Sequence, residues 1–273
     1  MINKNQTLRI FSYLPNPRIW KATITARIVG LSIDLRGSTP KDLKNWLWDY
    51  DARLLSKNEQ KSYSNILIQG KTGFSEKLFK SYKFMELHPF GTVPAAFCLE
   101  GAIGVFESNS IMRLVARLGK NKKKIYGNSI YEKSRIDSFL DASLIFSIAS
   151  QKYLLSINQN KLTKDIRSEA KQAFYKYMLG IENALTNPEK PYIGGEHLTL
   201  ADICFFCEYA LFSRERIIPK FCVNKKWNSI IHKDSNDKFP AATNHFNHLR
   251  ENSYFIPDSY EYIEKINSKL SEL

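Results

Sequence analysis

The sequence has little of what would mark a membrane, secreted or disulfide-stapled protein. No apolar run in its 273 residues approaches the roughly 18 that suggest a membrane-spanning helix. The opening Met1-Ile2-Asn3-Lys4-Asn5-Gln6-Thr7 is polar, so no secretory signal peptide is expected. Cysteine is scarce. Cys98, Cys204, Cys207 and Cys222 are mostly far apart, and a chain of this length needs no staples. Free thiols in a reducing, cytoplasmic compartment are the expectation. Acidic residues are also short: 27 face 40 basic ones, for a net charge of +13. Much of the excess is lysine in short runs such as Lys120, Lys122, Lys123 and Lys124. Such charge can attract nucleic acid, membrane surfaces or anionic substrates. The chain carries no nucleic-acid motif and no internal repeat. A solvated basic surface is therefore expected, with no specific nucleic-acid partner and no membrane. His245-x-x-His248 lacks a third ligand nearby, so a surface pair and no metal site are expected.

What is present is an apolar fraction of 43%, enough for a substantial core, in a chain long enough for two domains. Residues 8–13 alternate as a strand would. Pro15-Asn16-Pro17 ends that strand, with Asn16 suited to cap a helix and Pro17 to its first turn. Ile19, Ala22, Thr23, Ala26 and Val29 follow helical spacing, and Gly30 closes the run. Residues 32–36 read as a second strand, parallel to the first. Residues 37–86, which include Trp46, Trp48 and Tyr50, are long for a connection and are expected to form an insertion with its own helix or helices. The three aromatics would anchor it and could line part of a pocket.

Residues 95–99 and 103–106 then read as a hairpin. Ser108 is placed to cap a helix carrying Ile111, Leu114, Val115 and Leu118, closed by Gly119. The order is β-α-β-α-β-β-α, with the insertion after the second strand. Residues 120–129 are expected to form a linker, and everything beyond reads helical. The apolar stretch 138–157 is followed by a stripe of Ile166, Ala170, Ala173, Phe174, Tyr177, Met178, Ile181 and Leu185. Thr199 with Asp202 forms a capping box ahead of Ile203. Cys204 and Cys207, three apart on a helix, share a face that packs into the core. The fold class is α/β plus all-α: a domain at 1–119, its insertion at about 37–86, and an all-helical domain at 130–273.

Three segments carry a resemblance. Pro89-Phe90-Gly91-Thr92-Val93-Pro94, Phe106-Glu107-Ser108-Asn109-Ser110-Ile111 and Leu198-Thr199-Leu200-Ala201-Asp202-Ile203 match, in order and spacing, the glutathione transferase family. The resemblance covers about residues 8–212 and implies a thioredoxin-like N-terminal domain followed by a helical one. The opening Tyr13-Leu14-Pro15-Asn16-Pro17-Arg18-Ile19-Trp20-Lys21-Ala22 also looks like the transferase-like domain of elongation factor 1 gamma subunits, as does the Phe106 segment. The family implies a homodimer and glutathione as co-substrate. Glutathione is an extended anionic tripeptide with a thiol. A helix starting at Ser108 points free N–H groups outward and favours a carboxylate there. The Ser108 hydroxyl adds a donor, and Glu107 can pair with the ligand's ammonium. Val93 is where the family presents main-chain groups to the cysteinyl part, and Pro94 corresponds to its cis-proline.

Activating the thiol means lowering its pKa from roughly 8.5 toward neutrality. In the family the responsible group lies just after the first strand, where many members have serine. Aligned on Arg18, this chain has Leu14 there. The remaining donors are Ser12, Tyr13 and Asn16, and the candidates are Asn16, which fits best, and Tyr13. Leu14-Pro15-Asn16-Pro17 resembles the Thr-Pro-Asn-Gly turn of bacterial Nu-class enzymes, whose asparagine helps bind the thiol. A helix cap without catalysis is the alternative for Asn16. With no cysteine in this turn, thiol chemistry would have to use bound glutathione. The activity implied is that of a glutathione S-transferase acting on a hydrophobic electrophile. The alternatives are a glutathione-dependent disulfide reductase, an ether-cleaving lyase, and a non-catalytic elongation-factor-gamma-like module.

Overall fold

A computed structural model describes residues 8–71, 73–119, 124–217, 227–232 and 237–271. Cys222 and most of the lysine run near residue 120 lie outside the described residues. The chain divides into two compact units, Met1–Lys122 and Lys123–Leu273.

In the first unit, β1 (Leu8–Tyr13) is the inner strand of a sheet ordered β2-β1-β7-β8. Leu8, Ile10 and Phe11 are buried, as a strand covered on both faces requires. Helix α1 (Pro17–Val29) begins at an Asn16 cap and ends on Gly30, whose φ of 67° is the left-handed conformation that glycine adopts without penalty. β2 (Ile33–Ser38) pairs with β1 in parallel, two residues longer at its end than the alternation suggested. Helix α3 (Tyr82–Leu87) leads to β7 (Ala95–Phe97) and β8 (Gly104–Phe106), which form the expected antiparallel hairpin. Helix α4 (Ser108–Leu118) closes the unit. This is the β-α-β-α-β-β-α order of a thioredoxin-like domain.

Residues 37–86 hold more than helices. They build a second sheet, ordered β4-β3-β6-β5, from β3 (Trp46–Trp48), β4 (Arg53–Leu54), β5 (Leu67–Gln69) and β6 (Lys77–Lys80). Only the six-residue α2 (Lys57–Ser62) and two short 3-10 turns are helical before α3 begins. The strands are two to four residues long, too short for alternation to show. Trp48 is the anchor. It is buried, meets Phe11, Phe74 and Phe84 edge-on at 5.3–5.8 Å, and donates its indole N–H to Leu43 O at 3.1 Å. Buried Arg9 adds an ionic tie. Its guanidinium reaches Asp34 at 2.8 Å and Asp51 at 2.9 Å, and Arg36 bridges the same two carboxylates.

The second unit is helical, as expected: α5 (Ile130–Asn158), α6 (Lys164–Ala184), α7 (Leu200–Phe212), α8 (Pro240–Arg250) and α9 (Ile256–Ser271). Among the described residues, no helix is long and apolar enough to cross a membrane. The Thr199–Asp202 capping box is formed, and Cys204 and Cys207 are buried on α7. The His245–His248 surface pair is not found. Buried His245 places Nε2 at 2.8 Å from Asp202 Oδ1, while His248 is exposed. Residues three apart share a face, but only the nearer ring meets the carboxylate that the capping box brings inside. Among the described residues no group of His, Cys, Asp and Glu could hold a metal ion.

Trp48→Ala should destabilise the protein by about 3–5 kcal/mol, since it empties the contact between insertion and main sheet. A urea titration followed by far-UV dichroism should show a clearly lowered midpoint. An unchanged midpoint would mean that the insertion is anchored elsewhere.

Candidate functional site

Strand register brings the separated motifs to one end of the main sheet. Phe11 pairs with Ala95, and Ala95 pairs with Phe106. Continuing each strand by one or two residues sets Tyr13, the Val93-Pro94 peptide and Glu107-Ser108 side by side. Five of the six sequence candidates, Tyr13, Val93, Pro94, Glu107 and Ser108, therefore gather here, and Asn16 lies three residues beyond Tyr13 in the same unit.

The Val93-Pro94 peptide bond is cis. Among the described residues the main chain of Val93 makes no hydrogen bond, so its N–H and C=O form an unpaired edge. The loop before it is held from beneath. Lys80 Nζ donates to Gly91 O at 2.7 Å and stands 4.9 Å over the Trp48 ring. Burial lowers the Lys80 pKa, and Lys71 lowers it further. Gly91 has φ 61°, the left-handed region that favours glycine, and a Cβ there would lie 2.9 Å from the flexible end of the Met85 side chain. His88 is buried, stacks on Phe106 at 4.9 Å and lies 3.4 Å from the Thr92 hydroxyl. Burial pushes its pKa down to about 4.

Ser108 is not the helix cap that its position suggested. The cap is Glu107, whose φ of 66° is left-handed and whose side chain makes no capping bond. A non-glycine residue in that region is uncommon and tends to mark functional sites. The Glu107 carboxylate is exposed and has no hydrogen bond or ion pair among the described residues. Ser108 is the first helical residue. Its hydroxyl accepts from Lys21 Nζ at 3.3 Å, and Asn109 Oδ1 accepts from the same ammonium at 2.8 Å. The Glu107 side chain thus supplies no cap to the first turn of α4. By contrast Asn16, Ser56, Ser81, Ser129, Thr163 and Thr199 each cap their own helix.

Asn16 is enclosed, at 1% exposure. Its Oδ1 accepts from Arg18 N–H at 3.0 Å and its Nδ2 donates to Ser12 Oγ at 3.1 Å. That is the geometry of the capping role. Tyr13, half-buried at the end of β1, is the more open of the two candidates for contact with a ligand.

Lys21 was missed from sequence, although a signal existed. Pro17, Ile24 and Ile28 are buried along one face of α1, and Lys21 falls in phase with them.

No family model matches the sequence. Solved structures match it over nearly its whole length. A glutathione transferase, URE2P6 of Phanerochaete chrysosporium in complex with oxidized glutathione, aligns at a TM-score of 0.61 with 12% identity, covering 95% of this chain and 97% of that one. URE2P5 of the same organism gives 0.63 with 15% identity, covering 97% and 99%. A glutathione S-transferase of Methylobacillus flagellatus with glutathione bound gives 0.61 with 10% identity, covering 93% and 99%. The fold is that of the glutathione transferases. A 64-residue stretch is also 41% identical to elongation factor 1-gamma 3 of Oryza sativa subsp. japonica. It spans 23% of this chain and 15% of that protein.

Two predictions follow from these positions. Asn16→Ala should cost about 1–2 kcal/mol of stability through the lost cap; thermal melts compare it with the unaltered protein, and equal stability of the two would contradict the capping role. His88 is depressed from its ordinary 6.5 to about 4, so the folded state binds fewer protons than the unfolded chain between those values. Its contribution to stability is therefore full above about 6.5 and is lost as the pH falls toward 4. His88→Leu should flatten stability across that window, and an unaltered pH profile would count against a buried neutral imidazole.

Proposed function

We propose that this chain binds glutathione at the end of the main sheet and transfers its thiol to a hydrophobic electrophile, as a glutathione S-transferase. The observation that carries the reading is the uncapped N-terminus of α4 beside a free Glu107 carboxylate and the unpaired main chain of Val93. A zwitterionic, extended tripeptide supplies the complement of each. Its γ-glutamyl carboxylate takes the N–H groups of the first turn and the Ser108 hydroxyl, where the helix dipole favours negative charge. Its ammonium pairs with Glu107. Its cysteinyl amide and carbonyl pair with Val93, extending the sheet edge.

This docking directs the thiol toward the end of β1. There we assign Tyr13 as the activating group. Its hydroxyl donates to the sulfur and favours the thiolate, the thiol proton passing to water. A two-unit drop in thiol pKa needs about 2.7 kcal/mol, within reach of one charge-assisted hydrogen bond plus the helix dipole. The thiolate then attacks the electrophilic carbon, a C–S bond forms, and the leaving group departs with its electron pair. Asn16 serves this site from beneath, by capping α1.

A second reading is favoured by the enclosure of Asn16, by Leu14 where many transferases have serine, and by the stretch shared with elongation factor 1-gamma 3. Here the site holds glutathione without turnover, and the chain works as a binding module.

Titration calorimetry with glutathione tests what the two readings share. Binding is expected, weakened about tenfold by Ser108→Ala or Glu107→Gln, which is a loss of about 1.4 kcal/mol; absence of binding at millimolar ligand would sink both. Turnover of an activated aryl halide separates them. The enzyme reading expects conjugation that Tyr13→Phe reduces by about 10²-fold or more. The module reading expects none.

A further inference from the structure

Lys21 is a lysine at 1% exposure, on a helix face otherwise made of Pro17, Ile24 and Ile28. Lysine is almost never fully buried without a specific arrangement for its charge, since desolvating an ammonium costs several kcal/mol. Joining two helices does not require that cost; leucine or methionine would pack α1 against α4 as well or better. The partners of the ammonium include the side-chain oxygens of the first two residues of α4, Ser108 and Asn109.

We infer that Lys21 is the positioning residue of the α4 site and sets its preference for a carboxylate over a neutral group. This rests on the glutathione reading above and extends it to a specificity that no residue touching the ligand would provide alone. Two physical effects combine. An ammonium has donors only, so Ser108 Oγ accepts from it and the hydroxyl proton is turned away from Lys21, free to donate. Accepting from a cation also polarises that O–H into a stronger donor. In addition, the charge lies behind a helix N-terminus that is itself positive. The ligand class so selected is γ-glutamyl compounds with a free α-carboxylate. The same compounds amidated at that carboxylate are discriminated against.

The test is calorimetric binding of two ligands to the full chain: glutathione, and its analogue in which the γ-glutamyl α-carboxylate is a primary amide. The unaltered protein should prefer glutathione by about tenfold or more, equivalent to at least 1.4 kcal/mol. Lys21→Met should lose most of its glutathione affinity while binding the amide nearly as before, so that the preference collapses. Lys21→Arg should restore it. Equal weakening of both ligands by Lys21→Met would show a merely structural residue and overturn the inference, as would a preference that survives the substitution. If Lys21→Met fails to fold by far-UV dichroism, Ser108→Ala carries the test with the lysine in place: retention of the full preference there overturns the inference. An unaltered protein that binds glutathione and its amide equally would overturn it while leaving the glutathione reading intact. An unaltered protein that binds neither removes the glutathione reading itself.

Discussion

A helix that begins without a cap is the constraint on which the site depends. The first turn of an α-helix leaves N–H groups that must find an acceptor, and this chain supplies one from its own sequence almost everywhere. In α8, which lacks a capping side chain at Phe239, the acceptor comes from elsewhere in the chain. The Glu182 carboxylate takes the N–H groups of Ala241 and Ala242 at 3.0 and 2.8 Å. A carboxylate on an uncapped helix start is therefore a solution this molecule already uses. At α4 the neighbouring acidic residue, Glu107, is exposed on a left-handed backbone and does not cap the helix, and the proposed ligand carboxylate takes that place.

The rest of the first unit brings the groups proposed to bind the ligand to this helix start. β7 and β8 put the Val93 main chain and Glu107 at the same end of one hairpin. β1 pairs with β7 and carries Tyr13 to the same edge. Lys80 and His88 brace the loop before Val93, and the insertion, held by Trp48 and the Arg9 ion pairs, delivers Lys80 on its last strand. The second unit applies the same logic to stability. Asp202 closes the capping box with Thr199, accepts from Ile193 N–H at 2.8 Å and meets His245, so one buried carboxylate fastens three segments.

The parts legible in the sequence were those with local signals. Alternation gave β1 and two short apolar runs around Glu100-Gly101-Ala102 gave the β7–β8 hairpin, while Asn16, Gly30, Thr199 and Asp202 marked helix ends by residue type and spacing. What escaped depends on distant partners. The insertion's sheet pairs β3 with β6 across some thirty residues using strands too short to show a period. Nothing near Arg9 in the sequence announces its carboxylates. His245 looked like half of a surface pair because Asp202, its partner, lies 43 residues earlier. The candidate site's position in the fold was legible in its motifs, its local geometry less so. Ser108 proved to follow the cap, Asn16 to be enclosed, and Lys21, which reads as one more surface charge among many, to lie inside.

The central claim is that the open helix start of α4 holds a ligand carboxylate. A crystal structure of the protein soaked with glutathione tests it most directly. The account predicts the γ-glutamyl carboxylate on the N–H groups and hydroxyl of Ser108, the ammonium at Glu107 and the cysteinyl main chain on Val93. Glutathione bound elsewhere, or seated with its carboxylate away from Ser108, would contradict it.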